Sequence, residues 1–147
     1  MSVQHDTWST SRHYPHPPSA VFAAWADPAT KVRWFDLSHS GGDYWLDFRV
    51  GGAESYRSPA GVTPAYTYDA LNFDIVPNAR IVSAYSMTTG GLRISVSLAT
   101  VELSSASPGT RLTYTEQGAY LDGLDTPASH RTGLDTQLDA LGQLLVA

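Results

Sequence analysis

Between residues 43 and 120 apolar and polar side chains alternate through run after run, the period of two expected of half-buried strands. Tyr44, Leu46, Phe48 and Val50 alternate with Trp45, Asp47 and Arg49, and Gly51-Gly52 then turns the chain into a returning strand over 53–57. A loop at 59–64 leads to a long strand over 65–75, and Pro77-Asn78 turns it into another over 80–87. Gly90-Gly91 opens a strand over 92–103, where Leu92, Ile94, Val96 and Leu98 alternate with Arg93, Ser95 and Ser97. Ser107-Pro108-Gly109 closes the last hairpin into a strand over 110–120, with Leu112, Tyr114 and Glu116 on one face and Thr113, Thr115 and Gln117 on the other.

The ends of the chain read differently. A weakly patterned strand over 7–14 stops at His16-Pro17-Pro18, because proline cannot continue a ladder. Ser19 or the prolines open a short helix with Val21, Phe22 and Trp25 at helical spacing; Asp27 and Pro28 then suit the cap and first position of a second helix over 29–35. Residues 38–42 form a loop. After 120 comes a helix over 127–146, with Thr126 as a cap and Leu134, Leu138, Leu141 and Leu145 on one stripe. Gly133 and Gly142 interrupt it at a cost of about 1 kcal/mol each; they mark close approach to the sheet or room left in a pocket. A helix that follows an antiparallel meander packs across its concave face. The pattern therefore predicts one α+β helix-grip domain over residues 1–147: a curved antiparallel sheet wrapped around the long C-terminal helix, with two short helices after the first strand.

Composition narrows the function classes. The net charge is −5 and Lys31 is the only lysine, a poor match to nucleic acid. There is no cysteine, so thiolate metal sites and cysteine nucleophiles are excluded. His5, His13, His16, His39 and His130 show no ligand spacing, and no glycine-rich phosphate loop occurs; neither a metal nor a cofactor is expected. The first twelve residues lack the apolar run of a signal peptide and no segment reaches membrane-spanning length, which points to a cytoplasmic chain without membrane partners.

Two apolar layers that do not close completely leave a cavity, and its polar lining is where chemistry would lie. If the Leu112 face looks at the helix, Glu116 is a carboxylate at the end of that cavity; it needs a partner such as arginine or tyrosine, or its pKa rises. His130, in the first turn of the long helix, either meets a ligand or tethers the loop. Arg49 and Arg57 are expected to pair with Asp47 or Glu54 across strands. Tyrosines at strand positions supply an apolar wall together with a hydroxyl. Trp34, Tyr44, Phe48, Tyr68, Tyr85, Met87, Tyr114, Glu116, His130 and Leu134 are the candidate ligand-binding residues, for a small hydrophobic or aromatic molecule. A bulge would exchange Tyr68 for Leu71 or Tyr85 for Ala84 on that face.

Several short motifs occur in an order that resembles one family. Ala24-Trp25-Ala26-Asp27-Pro28 followed by Trp34-Phe35, Gly41-Gly42, residues 74–82, Gly109-Thr110-Arg111-Leu112-Thr113, and His130 to Leu134 with Leu138 are similar to elements of the C-terminal domain of the activator of heat-shock protein 90 ATPase. That family is a branch of the START-like (SRPBCC) superfamily. Leu134 stands where it usually has tryptophan. The resemblance implies a stand-alone member lacking the co-chaperone's N-terminal domain, and a binder of small hydrophobic molecules. Alternatives it brings are a polyketide cyclase or aromatase-like enzyme and a co-chaperone-type interaction domain. A homodimer is left open.

Overall fold

The computed structural model describes residues 1–36 and 41–146. Its elements run β1 (Val3–Tyr14), α1 (Pro18–Ala26), α2 (Pro28–Phe35), β2 (Asp43–Leu46), β3 (Ala53–Arg57), β4 (Tyr66–Val76), β5 (Arg80–Thr89), β6 (Leu92–Ser105), β7 (Thr110–Leu121) and α3 (Pro127–Val146). All seven strands form one antiparallel sheet in the order β1-β7-β6-β5-β4-β3-β2. From β2 to β7 the sheet is a meander, and β1 is added on the free edge of β7. The sheet curves around α3, with α1 and α2 closing one end. Of the loop expected at 38–42, residues 38–40 lie outside the described residues.

Most elements fall where the periodicity puts them, and the differences have physical causes. β1 starts four residues before the strand expected at 7–14; residues 3–6 are polar or exposed and are held by their ladder to 118–121. β2 ends at Leu46 instead of running on to Val50, because residues 47–52 form a wider turn. In that turn Gly51 has φ +80°, donates to the Asn72 carbonyl at 2.8 Å, and leaves Val50 exposed. In β6 the first alternating run points its apolar members outward: Ser95 and Ser97 are buried while Val96 and Leu98 are exposed. Ser97 lies between Tyr85 and Gly118 in the ladder, where the large inward rings of neighbouring strands leave room only for small residues. Further along, Ala99, Val101 and Leu103 continue the buried row. Register shifts occur at Asn72/Asp74 and Met87/Thr88, beyond Tyr68 and Tyr85, so both tyrosines keep the inner face.

Helix boundaries follow their caps. Asp27 Oδ2 accepts from the Thr30 amide at 3.1 Å and opens α2, with Pro28 at its start. Trp34 is 1% exposed, donates its indole N–H to the Ala24 carbonyl at 2.9 Å, and packs edge-on against Trp25 at 4.7 Å, locking α2 to α1. Thr126 Oγ1 accepts from the Ser129 amide at 3.1 Å and opens α3. Leu134, Leu138 and Leu141 are buried and Leu145 is partly buried against the same core. The two helix glycines divide the roles foreseen for them. A Cβ on Gly142 would lie 3.1 Å from the Tyr14 ring, while one on Gly133 would meet nothing within 4 Å.

α3 is also tied to β1 by polar contacts: Tyr14 donates to the Leu138 carbonyl at 2.7 Å, and Arg12 reaches Asp135 and Asp139 at 3.2 and 3.0 Å. These partly exposed ion pairs contribute little; the leucine stripe contributes most. Leu138, with no exposed surface, is the sharpest probe of it. Leu138→Ala is expected to lower the unfolding free energy by about 2–5 kcal/mol in urea titrations. A loss below about 1 kcal/mol with an unchanged fold would show that the stripe does not hold α3 to the sheet.

Candidate functional site

Between the concave face of the sheet, α2 and the first half of α3 lies a cavity of about 430 Å³. Trp34, Phe48, Tyr68, Tyr85, Met87, Tyr114, Glu116, His130 and Leu134 lie on its wall. Tyr44 stands outside it: its ring packs on Phe35 at 5.6 Å and its hydroxyl reaches Glu54 Oε2 from behind. Phe48, expected on a strand, reaches the wall from the turn and sits edge-on to Phe22 at 5.6 Å. Tyr56 and Tyr66, stacked at 5.9 Å, also line the cavity although they were not among the candidates.

At one end sits Glu116, 1% exposed. Its Oε1 accepts from the Tyr85 hydroxyl at 2.5 Å and from Tyr114 at 2.8 Å; its Oε2 accepts from Tyr120 at 2.8 Å and from His130 Nδ1 at 2.8 Å. His130 Nε2 meets Asp125 Oδ2 at 2.5 Å, and the Trp8 indole donates to the Tyr120 oxygen at 3.1 Å. Tyr120 lies two residues past Gly118 on the same face, and a Cβ at 118 would sit 2.7 Å from its ring. Glycine is what lets that ring fold back to Glu116.

The electrostatics follow from this packing. Burial by itself would raise the Glu116 carboxyl, but hydrogen bonds from His130 and Tyr85, the imidazolium charge and the Tyr120 bond hold it below its ordinary value. For His130 burial favours the neutral ring, yet Asp125 and Glu116 on its two nitrogens raise it to about 9. Burial, joined by the nearby carboxylates, pushes the Tyr68 and Tyr85 hydroxyls well above their usual range. At neutral pH the cluster is a carboxylate–imidazolium–carboxylate row capped by neutral phenols. Its carboxylates contact opposite edges of the imidazole and do not converge, and no group of metal ligands occurs among the described residues.

The other polar feature joins α2 to β3. Lys31 Nζ lies 2.6 Å from Glu54 Oε2, both side chains under 10% exposed at 8% and 4%. The ammonium also faces Trp25 and Phe35, each 5.2 Å from its ring centroid. Arg57 pairs with Asp69 at 2.9 Å and not with Glu54, because β4 brings Asp69 alongside; Arg49 pairs with Asp47 at 2.9 Å. Lys31 was visible in sequence only as a lone lysine. Its place on the helix face toward Trp25 and Trp34, four residues beyond Asp27, was the available signal.

Sheet order, cavity and long closing helix define a helix-grip fold of the START-like (SRPBCC) type, a fold known for ligand binding. The chain belongs to the family described as activator of Hsp90 ATPase homolog 1-like proteins, which it matches over residues 15–146. A putative uncharacterized protein of Rhizobium leguminosarum is 39% identical, with a TM-score of 0.92 over 98% of this chain and 96% of its own. A protein of Rhizobium loti is 45% identical, with a TM-score of 0.91 over 98% and 99%. A Chromobacterium violaceum protein, 23% identical with a TM-score of 0.75 over 95% and 96%, shares the fold. Among proteins of curated function none matches. No helix among the described residues is long and apolar enough to cross a membrane.

The cluster should be measurable in stability. Because the His130 pKa is raised to about 9, its contribution is complete below its unfolded value and is lost as pH rises through about 9. The lowered Glu116 contributes fully above the ordinary carboxylate range and less as pH falls through its folded value. Urea midpoints of the native chain are therefore expected to fall between pH 6.5 and 9 by an amount equivalent to about 1–3 kcal/mol. His130→Asn should be less stable at pH 6.5 and flat across that window. A native chain as flat as the variant would mean that His130 does not carry the charge.

The buried Lys31–Glu54 pair gives a second test. Lys31→Met leaves Glu54 without its cation and is expected to cost about 3–5 kcal/mol, while Lys31→Met with Glu54→Leu should recover most of that loss. Additive losses in the double variant would show that the two residues are not coupled.

Proposed function

We propose that this chain binds a small hydrophobic, ring-bearing molecule in the cavity between the sheet and α3. The observation that carries this is the roughly 430 Å³ space walled mainly by aromatic and aliphatic side chains, with buried charge at two places among them. That is the make-up of a small-molecule site: apolar surface for affinity and a few fixed polar groups for orientation. Membership in a ligand-binding fold family supports the same reading.

An enzyme of the cyclase kind needs a group that exchanges a proton near neutral pH. The cluster offers little of that. His130 keeps its proton until about pH 9, with both ring nitrogens engaged, and Glu116 is held ionised under four donors. The phenols, raised well above their ordinary range, stay neutral as well. A binder uses such groups as fixed dipoles and charges, which is the role their geometry supports.

Gly133 provides the test. It lies on the cavity wall, and a side chain there would project into open space. A neutral bicyclic aromatic probe, 2-naphthol, is expected to raise the melting temperature saturably and to change the emission of Trp25 and Trp34. Gly133→Leu should keep the native circular dichroism spectrum and lose at least about tenfold in affinity. Equal affinity in this variant would place the probe elsewhere, and no binding to the native chain would remove the proposal.

A further inference from the structure

We propose that the ligand of this cavity carries a neutral hydroxyl group, an alcohol or phenol, that docks between Lys31 and Glu54. This rests on the binding function proposed above and specifies the chemistry of what is bound. The two buried carboxylates of the wall, Glu116 and Glu54, differ in how many hydrogen bonds they can still accept.

An ionised carboxylate has about four lone-pair positions for donors. Glu116 fills them all: two phenols on Oε1, and a phenol and an imidazole on Oε2. It has nothing left to offer a ligand. Glu54 is as deeply buried, at 4% exposure, but its two oxygens are unequal. Oε2 takes Lys31 at 2.6 Å and the Tyr44 hydroxyl. Among the described residues Oε1 has only the Tyr68 hydroxyl, at 3.5 Å, well outside the usual range of about 2.5–3.0 Å for such a bond. A buried, charged oxygen left in this state is costly, and native structures seldom tolerate it without a partner.

Beside that open acceptor are open donors. Lys31 Nζ carries three protons, and among the described residues its ion-pair partner is Glu54 Oε2; on other sides it faces the rings of Trp25, Trp34 and Phe35. Lys31, Glu54 and Tyr68 all lie on the cavity wall. Glu54 Oε1 and Lys31 Nζ together therefore suit one group that donates and accepts at once. A hydroxyl does both: its proton goes to Glu54 Oε1 and its oxygen accepts from Lys31 or Tyr68. An ether or ketone only accepts and leaves Oε1 unpaired. A carboxylate also brings a negative charge against Glu54. An ammonium only donates and crowds a second cation against Lys31. The rings around the subsite then hold an apolar body attached to the hydroxyl.

Three probes with the same ring system separate these cases: 2-naphthol, 2-methoxynaphthalene and 2-naphthoate, titrated calorimetrically at pH 7. The native chain is expected to bind 2-naphthol at least about tenfold more tightly than either of the others, the scale of a hydrogen bond to a buried charge. In Glu54→Gln the amide carbonyl can keep Lys31 while the amide N–H₂ takes the place of Oε1, so a donor replaces the acceptor. The preference should then disappear or reverse toward 2-methoxynaphthalene. If the ether or the carboxylate binds the native chain as well as the naphthol, the hydroxyl subsite is wrong while cavity binding stands. Binding of none of the three removes both. If Glu54→Gln fails to fold, the native series still decides. A folded Glu54→Gln that keeps the full naphthol preference overturns the assignment to Glu54.

Discussion

The Glu116 carboxylate can remain ionised away from water only while four donors from β5, β7 and α3 stay aimed at it. That requirement orders the interior. Tyr85, Tyr114 and Tyr120 are held by their hydroxyls, so their rings cannot swing inward and fill the space beneath α3. The cavity persists because the side chains best able to close it are tied back to a charge. Asp125 and Trp8 extend the restraint to the loop before α3 and to the edge strand β1.

Lys31 and Glu54 solve a similar problem with fewer bonds. They join α2 to β3, at a place where the short strand β2 gives the sheet little ladder to rely on. Aromatic faces shield the ammonium, and a single carboxylate oxygen absorbs most of the charge. The consequence is asymmetry along the cavity wall: one carboxylate fully committed to the protein, the other with capacity remaining. Charge is present in both, but only the second has an opening for something else.

The strands and the stripe of α3 were legible because burial on one face imposes a period, and turns carry their own residues. Glu116 could be singled out for the same reason, since alternation put a carboxylate on an otherwise apolar face, and His130 by its place in the first turn of the long helix. Their coupling to Tyr120 and Asp125 was not legible. Tyr120 reaches back only because residue 118 is glycine, and Asp125 belongs to a loop without a repeating pattern. The Lys31–Glu54 pair joins elements distant in sequence; the helix face that Lys31 shares with Trp34 signals its burial, but no spacing announces its partner. In β6, small residues face inward because neighbouring rings occupy the room, so hydrophobicity alone does not tell which face of 92–98 is buried. The loop shape after β2, which brings Phe48 to the wall, depends on backbone bonds to β4 that side-chain pattern does not encode.

The position of β1 in the sheet has a consequence for how the chain comes to be folded. Val3 pairs with Leu121 and Tyr14 with Thr110, so the first strand waits for the last one. At synthesis rates of roughly 5–20 residues per second, β1 leaves the ribosome several seconds or more before its partner exists. The meander from β2 to β6 can assemble in the meantime from neighbouring hairpins, with low loop-closure cost. Arrival of β7 then supplies the missing ladder for β1 and the carboxylate that gathers the tyrosines. Until α3 follows, that carboxylate lacks its imidazole. The final quarter of the chain thus completes the edge, the charge cluster and the closing helix together, which makes a chain cut short before it an open half-sheet with a wet, uncommitted interior.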